Sequence, residues 1–397
     1  MFNLSQTTAS YLAVSGLTGT MLGSIFWGFM ADRIGRRVVL LWTVGLFSVA
    51  SLCGLAMEYW QSLLACFVMG VGVGGEAPLV FALAAEYIPA RVRGRTILLL
   101  GIVGSTGGYA LAAGTAAIVK SFYPEEFAWR LLWLVGLIPA ALILVLRSKV
   151  VPESARYLLA HGRVEEARRA AQSLVGPIPA VAPVTGAQDS PASRAPTGKL
   201  YGRTVSLGFF SFAWGLANFG FITWMPTLLG KMGYSGATSS AYLALSALIA
   251  LPALALTTLL FTRWSSWGTL VSYAAAGGLT LVLLGAAITG GIITPLLLVV
   301  VSGLALFFIT SIGGAFPLYA TEVYPTMMRT RRTGVVSAAG RFGAVLGPYV
   351  GGLWLSAGGS TFGLQAVLAA CLISAAVILT LTAVETRGKT LEQIAGH

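Results

Sequence analysis

Charged residues are scarce in this sequence of 397 residues. They make up 10% of it, while hydrophobic residues make up 56% and the mean hydropathy is +0.83. A soluble domain carries more charge than this on its surface, so the composition excludes a soluble fold. It predicts an all-α polytopic membrane protein, in which apolar helices face lipid.

Residues that act as catalysts or metal ligands are also few. The three cysteines, Cys53, Cys66 and Cys371, all lie in apolar runs, at spacings that indicate neither a disulfide framework nor a metal site. The two histidines, His161 and His397, lie in polar segments with no serine, cysteine or aspartate arranged nearby as a catalytic partner. We therefore expect no enzyme, no metal and no cofactor.

Long apolar runs are what the sequence has in abundance. A membrane-spanning helix needs about 20 apolar residues. By that measure the candidate spans are 8–30, 38–57, 61–84, 96–119, 130–148, 204–229, 240–262, 268–289, 293–317, 333–357 and 361–384. A long polar segment divides them, which predicts an N-terminal bundle of five spans over 1–148, a cytoplasmic helix and linker over 149–203, and a C-terminal bundle of six spans with a short tail over 204–397.

The positive charge lies mainly in alternate loops. If the loop at 28–37 is placed in the cytoplasm, nearly all lysines and arginines fall on the cytoplasmic side of the membrane. This is the positive-inside pattern. The net charge of +12 therefore indicates orientation rather than nucleic-acid binding. It predicts a multi-pass protein of the plasma (inner) membrane with a cytoplasmic C-terminus.

The loop at 28–37 carries an ordered pattern of glycines and charges. Gly28 and Gly35 allow a tight turn, Asp32 can accept from N–H groups at the next helix start, and Arg33, Arg36 and Arg37 anchor the loop inside. An ordinary positive-inside loop needs the basic residues but not this frame. The stretch resembles the signature G-x-x-x-D-R-x-G-R-R of the major facilitator superfamily.

Three further patterns extend the resemblance to the sugar-porter-like branch. The segment 152–159, with Glu153 and Arg156, resembles its P-E-S-x-R-x-L motif, and Glu385 to Gly388 resembles its P-E-T-x-G ending, with Val384 in place of proline. An internal repeat is also present. Glu86, Pro89, Arg93 and Arg95 recur 236 residues later as Glu322, Pro325, Arg329 and Arg331.

These charges fall at predicted cytoplasmic helix ends. Acids and arginines there could form a network of ion pairs only in the state in which the two bundles come together on the cytoplasmic side. The alternative is that they are independent anchors and helix caps. The predicted cytoplasmic gate comprises Gly28, Asp32, Arg33, Gly35, Arg36, Arg37, Glu86, Arg93, Arg95, Glu153, Arg156, Glu322, Arg329, Arg331, Glu385 and Arg387.

Glu76 is an acid within an apolar span. It follows a run of glycines that includes Gly74 and Gly75, and a carboxylate there must be protonated, hydrated or paired. We expect a proton carrier, and a structural carboxyl bonded to a neighbouring helix is the equal alternative. The run resembles the G-x-G-G-E of niacin and aromatic-acid transporters.

Arg341 lies near the centre of its predicted span, too deep for its charge to reach the surface easily. We interpret it as the cation that binds the carboxylate of an organic anion, the alternative being an internal partner for a buried acid such as Glu76. Asn218 and Trp224 are further candidates for the cavity, although Trp224 could be an interfacial anchor. Tyr109 and Tyr319 are weaker ones.

The resemblance covers nearly the whole chain and lies nearest to niacin and aromatic-acid:proton symporters. It implies two pseudo-symmetric helical bundles, with the opening loop after the second of twelve spans. Here that loop follows the first, so the chain as given resembles the fold without its first helix, with eleven spans of twelve. The acidic residue that this helix carries in aromatic-acid relatives then has no counterpart here.

The function implied is secondary active import of a small organic anion, such as a nicotinate-like carboxylate, coupled to protons and carried out by a monomer through alternating access. A sugar or polyol uniporter or symporter is the alternative within transport. A truncated, non-transporting pseudo-transporter or sensor is the alternative outside it.

Overall fold

The structure is a computed structural model that describes residues 5–88, 96, 99–101, 103–150, 158, 162–175, 197–292, 294–324 and 326–386. Within these ranges the regular elements are helices, without a strand. The helices are α1 Gln6–Ile34, α2 Arg36–Ala50, α3 Tyr59–Tyr87, α4 Gly108–Phe122, α5 Glu125–Val135, α6 Leu137–Val150, α7 Val164–Val175, α8 Thr197–Lys231, α9 Gly236–Ala250, α10 Ala253–Arg263, α11 Ser266–Thr289, α12 Pro295–Val323, α13 Thr326–Ser356 and α14 Thr361–Thr382. A 3₁₀ turn, Ser51–Leu55, follows α2, and a π-helical turn, Val103–Gly107, precedes α4.

Eight helical stretches in the described part of the chain are long and apolar enough to cross a membrane. The remaining predicted spans, 61–84, 96–119 and 333–357, overlap α3, α4 with its π-helical turn, and α13. The prediction of an all-α polytopic membrane protein is therefore confirmed.

The turn between α1 and α2 is shorter than the sequence analysis predicts. Helix α1 continues through Gly28 and ends at Ile34. Gly35 alone makes the break, with a φ of 96° that residues with a Cβ rarely adopt. The expected hairpin from Gly28 to Arg37 is thus corrected to a one-residue turn at Gly35.

Two predicted spans are interrupted. Helices α5 and α6 are separated at Gly136, and α9 and α10 at Leu251–Pro252. Proline has no N–H and crowds the preceding turn, which accounts for the second break.

The chain forms two compact units by contact. The first consists of Met1–Val14, Leu98–Leu132 and Ser193–His397, and the second of Ser15–Ile97 and Trp133–Ala192. This grouping differs from the predicted bundles 1–148 and 204–397, and that division of the sequence stays a prediction.

In the second unit, glycines bring α1 and α3 into backbone contact. A Cβ added at Gly70 would collide with the carbonyl of Gly16, and one added at Gly74 with that of Thr20. Trp27 then donates its indole N–H to the carbonyl of Val71 at 2.9 Å. Small residues permit this approach, which is the usual basis of helix packing in lipid.

In the first unit, the closest helix pair is α8 with α13. A Cβ at Gly215 would collide with the carbonyl of Gly340, and one at Gly347 would lie 2.6 Å from the carbonyl of Leu216. Large buried side chains on α8, α11, α12 and α14 fill the rest of the core, including Phe210, Leu281, Ile309 and Leu368. This seam positions the residues of the candidate site on α8 and α13.

Candidate functional site

Arg341 lies midway along α13. Fifteen residues separate it from Thr326 and fifteen from Ser356, or roughly 22 Å in each direction at 1.5 Å per residue. Its side chain is half-buried. Gly340 faces Ser211 of α8, and Arg341 is rotated from it by about 100° around the helix axis. The structure thus places this charge at the middle of its helix, beside the α8–α13 seam, and its central depth in the membrane stays a prediction.

Asn218 lies on α8, the helix packed against α13. Its side chain is 7% exposed, and no described residue donates a hydrogen bond to its amide oxygen Oδ1. A buried amide oxygen without a donor costs about 1–3 kcal/mol. An oxygen in this position can be satisfied by a donor on a ligand.

Trp224 is also on α8, and it is buried. Its indole N–H donates to the carbonyl of Pro348 at 2.9 Å, and its ring fills the space beside Gly351 and Gly352. Its polar atom is therefore engaged by α13. The buried position is that of a packing residue rather than an interfacial anchor, and its predicted contact with substrate stays a prediction.

The two tyrosines lie in different surroundings. Tyr109, on α4, is half-buried against the apolar core of the first unit. Tyr319, near the end of α12, is buried, and its hydroxyl donates to the carbonyl of Val384 at 3.0 Å and accepts from the amide of Val384 at 3.1 Å. Because backbone groups occupy this hydroxyl, its arrangement favours a role in holding the segment after α14 over substrate binding.

Glu76 lies on α3 in the second unit and is half-buried. It follows Gly74 and Gly75, which pack against Thr20 and the ring of Trp27. The glycine run therefore brings α3 close to α1 immediately before this carboxylate.

Two residues of the predicted cytoplasmic gate, Glu322 and Glu385, lie in a compact polar cluster with Ser265, Ser266 and Thr386, which we call the Glu385 cluster. Glu385 accepts hydrogen bonds from the Ser265 hydroxyl, from the Ser266 amide at 2.9 Å and from the Ser266 hydroxyl at 2.6 Å. Thr386 donates to Glu322 at 2.7 Å. The cluster joins the start of α11, the end of α12 and the segment after α14.

Other predicted gate residues are placed individually. Arg33 is exposed, and Arg36 and Arg37 are half-buried at the start of α2. The side chains of Asp32, Glu86, Arg329 and Arg331 and the whole of Arg93, Arg95, Glu153, Arg156 and Arg387 lie outside the described residues. A network of all these charges stays a prediction.

The sequence analysis missed Ser265 and Ser266. Residues 262–266 contain no acid, and in the structure Glu385 supplies one to Ser266 from 119 residues away in the sequence. Ser265 also caps α11, since its hydroxyl accepts from the Gly268 amide at 3.0 Å. Two serines before an apolar run are a helix-start signal that could have identified this position.

A second missed feature is a buried hydroxyl pair. Thr106, in the π-helical turn, and Thr310, on α12, lie 3.2 Å apart. Both are at least nine-tenths buried. Neither threonine stands out in an apolar sequence, although a π-helical turn within a helix frequently marks a functional position.

An apolar cavity of about 440 Å³ lies elsewhere, in the second unit. Its lining includes Cys53, Trp60, Gln61 and Leu64 and contains none of the predicted site residues. We therefore place the candidate site at Arg341 and Asn218 rather than at this cavity.

Comparisons with known proteins agree with this architecture. A family model described as "Sugar (and other) transporter" matches residues 3–396. The chain is 31% identical to the niacin transporter NiaP of Acinetobacter baylyi, over 98% of the chain and 88% of the relative. It is 29% identical to the gallate transporter of Pseudomonas putida, over 90% and 79%, and 27% identical to the benzoate transport protein of Acinetobacter baylyi, over 89% and 76%.

Solved structures are similar in fold. The inward open conformation of the xylose transporter XylE from E. coli superposes with a TM-score of 0.75 at 18% identity, covering 99% of this chain and 90% of the other. At that identity the likeness concerns the arrangement of the helices alone.

Proposed function

The chain belongs to the sugar (and other) transporter family of the major facilitator superfamily, and we propose that it imports a small aromatic carboxylate together with protons. As a member of this family it is a multi-pass membrane transporter of small molecules and not an enzyme. We further propose that it acts as a monomer in the inner membrane, with its C-terminus in the cytoplasm.

The presence of Arg341 on α13 and of the buried Asn218 on α8, the two helices of one seam, carries the proposal. A guanidinium offers a planar fork of donors that matches a carboxylate, and at central depth its charge must meet an anion or water. The undonated Oδ1 of Asn218 would accept from a hydroxyl or a ring N–H elsewhere on the same ligand. Together the two groups suit an anion that also carries a polar substituent.

The relatives support this substrate class. The names niacin, gallate and benzoate all denote aromatic rings with a carboxyl group. Arg341 would neutralise the carboxylate, and the half-buried Tyr109 could lie against the ring.

Proton coupling is assigned to Glu76. An acid in an apolar span is neutral when protonated, and alternating access lets it load a proton on one side and release it on the other. The Glu385 cluster would contribute to closing the second half on the cytoplasmic side.

Uptake into proteoliposomes tests the anion site. Labelled nicotinate and benzoate are offered to the wild type and to Arg341→Gln, with xylose as the test of a sugar substrate. A hydrogen bond to a charged group is worth about 1.5–3 kcal/mol and tenfold in affinity corresponds to about 1.4 kcal/mol, so KM should rise about tenfold or more.

Arg130→Gln is the matched control, because Arg130 lies on α5 with its guanidinium over the ring of Trp129. It should leave KM for the anion unchanged. Undiminished uptake by Arg341→Gln, or accumulation of xylose without any of the acids, would overturn the proposed substrate class.

The proton assignment has its own test. An imposed pH gradient should drive accumulation of the acid in wild type but not in Glu76→Gln, while exchange of internal for external acid should persist in the variant. Gradient-driven accumulation by Glu76→Gln would remove Glu76 from the mechanism.

A further inference from the structure

The apolar cavity of the second unit has a thiol in its wall. It has a volume of about 440 Å³ and lies where the 3₁₀ turn Ser51–Leu55 meets the start of α3. Its lining includes Leu55 and Trp60, which are 61% and 60% exposed, so the cavity opens at the surface of the unit. Cys53 lines the same cavity, although Cys53 itself is only 4% exposed. A small molecule that enters the cavity therefore reaches this side chain.

Small side chains account for the empty space. Ala50, Cys53, Ala56 and Ala65 line the cavity beside larger residues such as Leu64. A void remains where small side chains face one another and their neighbours cannot move in to fill it. Apolar cavities stay dry and accept apolar molecules, so we expect this one to admit a small apolar reagent.

A second thiol lies directly behind the first. Cys66, on α3, is 6% exposed, and its thiol donates a hydrogen bond to the sulfur of Cys53. Twelve residues separate the two cysteines, and their spacing in the sequence does not indicate this contact. The described lining of the cavity includes Cys53 and not Cys66. Two thiols in contact need only a rotation of their side chains to be joined by an S–S bond, and here one of the two faces the cavity.

The predicted topology places this pair towards the outer face of the membrane. Helix α2 and its 3₁₀ turn form one candidate span, Arg36–Leu55, whose start lies in the cytoplasm. Cys53 therefore lies near the opposite end of that span. Tyr59 and Trp60, at the start of α3, are residue types that are enriched at a membrane surface. In the orientation proposed above, the outer side of an inner membrane is an oxidising compartment in which disulfides form and persist.

We propose that Cys53 and Cys66 form a disulfide by exchange with a small disulfide that enters the cavity from the outer side. The thiolate of Cys53, after loss of its proton to solvent, attacks one sulfur of the incoming disulfide and expels the other half as a thiolate. Cys66 gives its proton to that thiolate, attacks the sulfur of Cys53 and expels the second half, which takes a proton from solvent. The protein loses two electrons and two protons, and the incoming disulfide gains both and leaves as two thiols.

The product ties the 3₁₀ turn to α3 at the outer end of the second unit. A cross-link restricts the unfolded chain, so the unfolding temperature of the wild type should fall by several degrees when a reductant is added. In Cys66→Ser, which cannot form the bond, the same reductant should have no effect.

Peptide mapping of the protein in its source membranes tests the disulfide. The membranes are quenched with acid, free thiols are blocked with N-ethylmaleimide, and the unreduced peptides are identified by mass spectrometry. The expected product is a peptide pair joined through Cys53 and Cys66 in most chains, with the free Cys371 alkylated. Alkylation of both Cys53 and Cys66 without prior reduction would overturn the proposal. So would a bond from either of them to Cys371 or to another polypeptide.

Dithiodipyridine, an aromatic disulfide, tests the order of attack in the purified and reduced chain. In Cys371→Ser it should release two thiopyridone molecules per chain and leave no adduct, because Cys66 completes the exchange. When Cys66→Ser is added to this variant, one thiopyridone should be released and the pyridyl adduct should remain on Cys53. When Cys53→Ser is added instead, release should be about tenfold slower, since Cys66 lies behind the cavity wall. Faster reaction at Cys66 than at Cys53 would overturn the assigned order.

A variant that fills the cavity tests the route and keeps both thiols. Ala65→Leu places a larger side chain in the lining and should slow the reaction of Cys53 with dithiodipyridine about tenfold. Ala370→Leu is the matched change at an exposed position of α14 and should leave the rate unchanged. Equal rates in the two variants would show that the reagent does not reach Cys53 through the cavity and would overturn the proposed route. None of these readouts depends on the substrate of the transporter.

Discussion

Gly215 shows how one missing methyl group sets the distance between two helices. A Cβ at this position would collide with the carbonyl of Gly340 and lie 2.9 Å from the amide of Ala344. Gly215→Ala should therefore separate α8 from α13 and destabilise the fold by about 1–3 kcal/mol, the usual cost of overpacking. Thermal unfolding of the purified protein measures this.

Gly202→Ala provides the comparison for Gly215→Ala, since Gly202 lies on the same helix with nothing within 4 Å of an added Cβ. It should leave the unfolding temperature unchanged or raise it slightly, because alanine has the higher helix propensity. Equal stability of the two variants would show that the α8–α13 seam tolerates a wider spacing.

Glu385 is the residue on which the Glu385 cluster depends. It accepts from the amide of Ser266 and from the hydroxyls of Ser265 and Ser266. Glu385→Gln replaces a charged acceptor by a neutral amide whose NH₂ faces donors, so stability should fall by about 1–3 kcal/mol. Chemical unfolding checks this, with the exposed Glu58→Gln as the control, which should have no effect.

At the scale of elements, α7 is held by charges on its own surface. Arg163 donates to Glu166 at 2.6 Å and Arg168 to Glu165 at 2.9 Å. These hydrogen bonds lower the pKa of both carboxyl groups below the ordinary 4.5. Their contribution to α7 is thus fully present above about pH 4.5 and is lost as the pH falls through the lowered pKa values.

A spin label at the exposed Val164 should report this loss as increased mobility between pH 5 and pH 3, with an amplitude no larger than about twofold because both pairs are exposed to solvent. Replacing both glutamates by glutamine should give the mobile state already at pH 7. Unchanged mobility across this range would mean that packing, rather than the ion pairs, holds α7.

Most elements could be predicted from the sequence because apolar length alone decides whether a helix can span lipid. The breaks could not. Gly136 and Pro252 interrupt predicted spans, whereas Gly28 and Pro226 lie within continuous helices. Whether such a residue interrupts a helix depends on the neighbours that satisfy its backbone, and a single sequence does not contain that information.

At the scale of the whole molecule, the position of Arg341 near the middle of its helix was predictable because it follows from the bounds of the apolar span. The Glu385 cluster was only partly predictable. The sequence analysis identified Glu322 and Glu385 but not the serines that bind Glu385, because the contacts join residues about 119 positions apart. Likewise, no sequence pattern shows that Trp224 donates to Pro348 on another helix.

The start of α1 meets the end of α13 in the first unit, which gives a test of alternating access. The hydroxyls of Thr7 and Ser356 lie 2.7 Å apart, and the rings of Tyr11 and Tyr349 stack at 6.3 Å. In the predicted topology both contacts lie at the outer face. An inward-facing transporter must separate them to open outside.

A disulfide between Thr7→Cys and Ser356→Cys, in a background without the three native cysteines, should therefore abolish net uptake, and a reducing agent should restore it. Each single-cysteine variant should transport normally under the same oxidant. Because the cross-link leaves Arg341 and Asn218 unchanged, binding of the substrate from the cytoplasmic side should persist in the locked protein. Full uptake with the disulfide closed would show that this contact does not separate during transport.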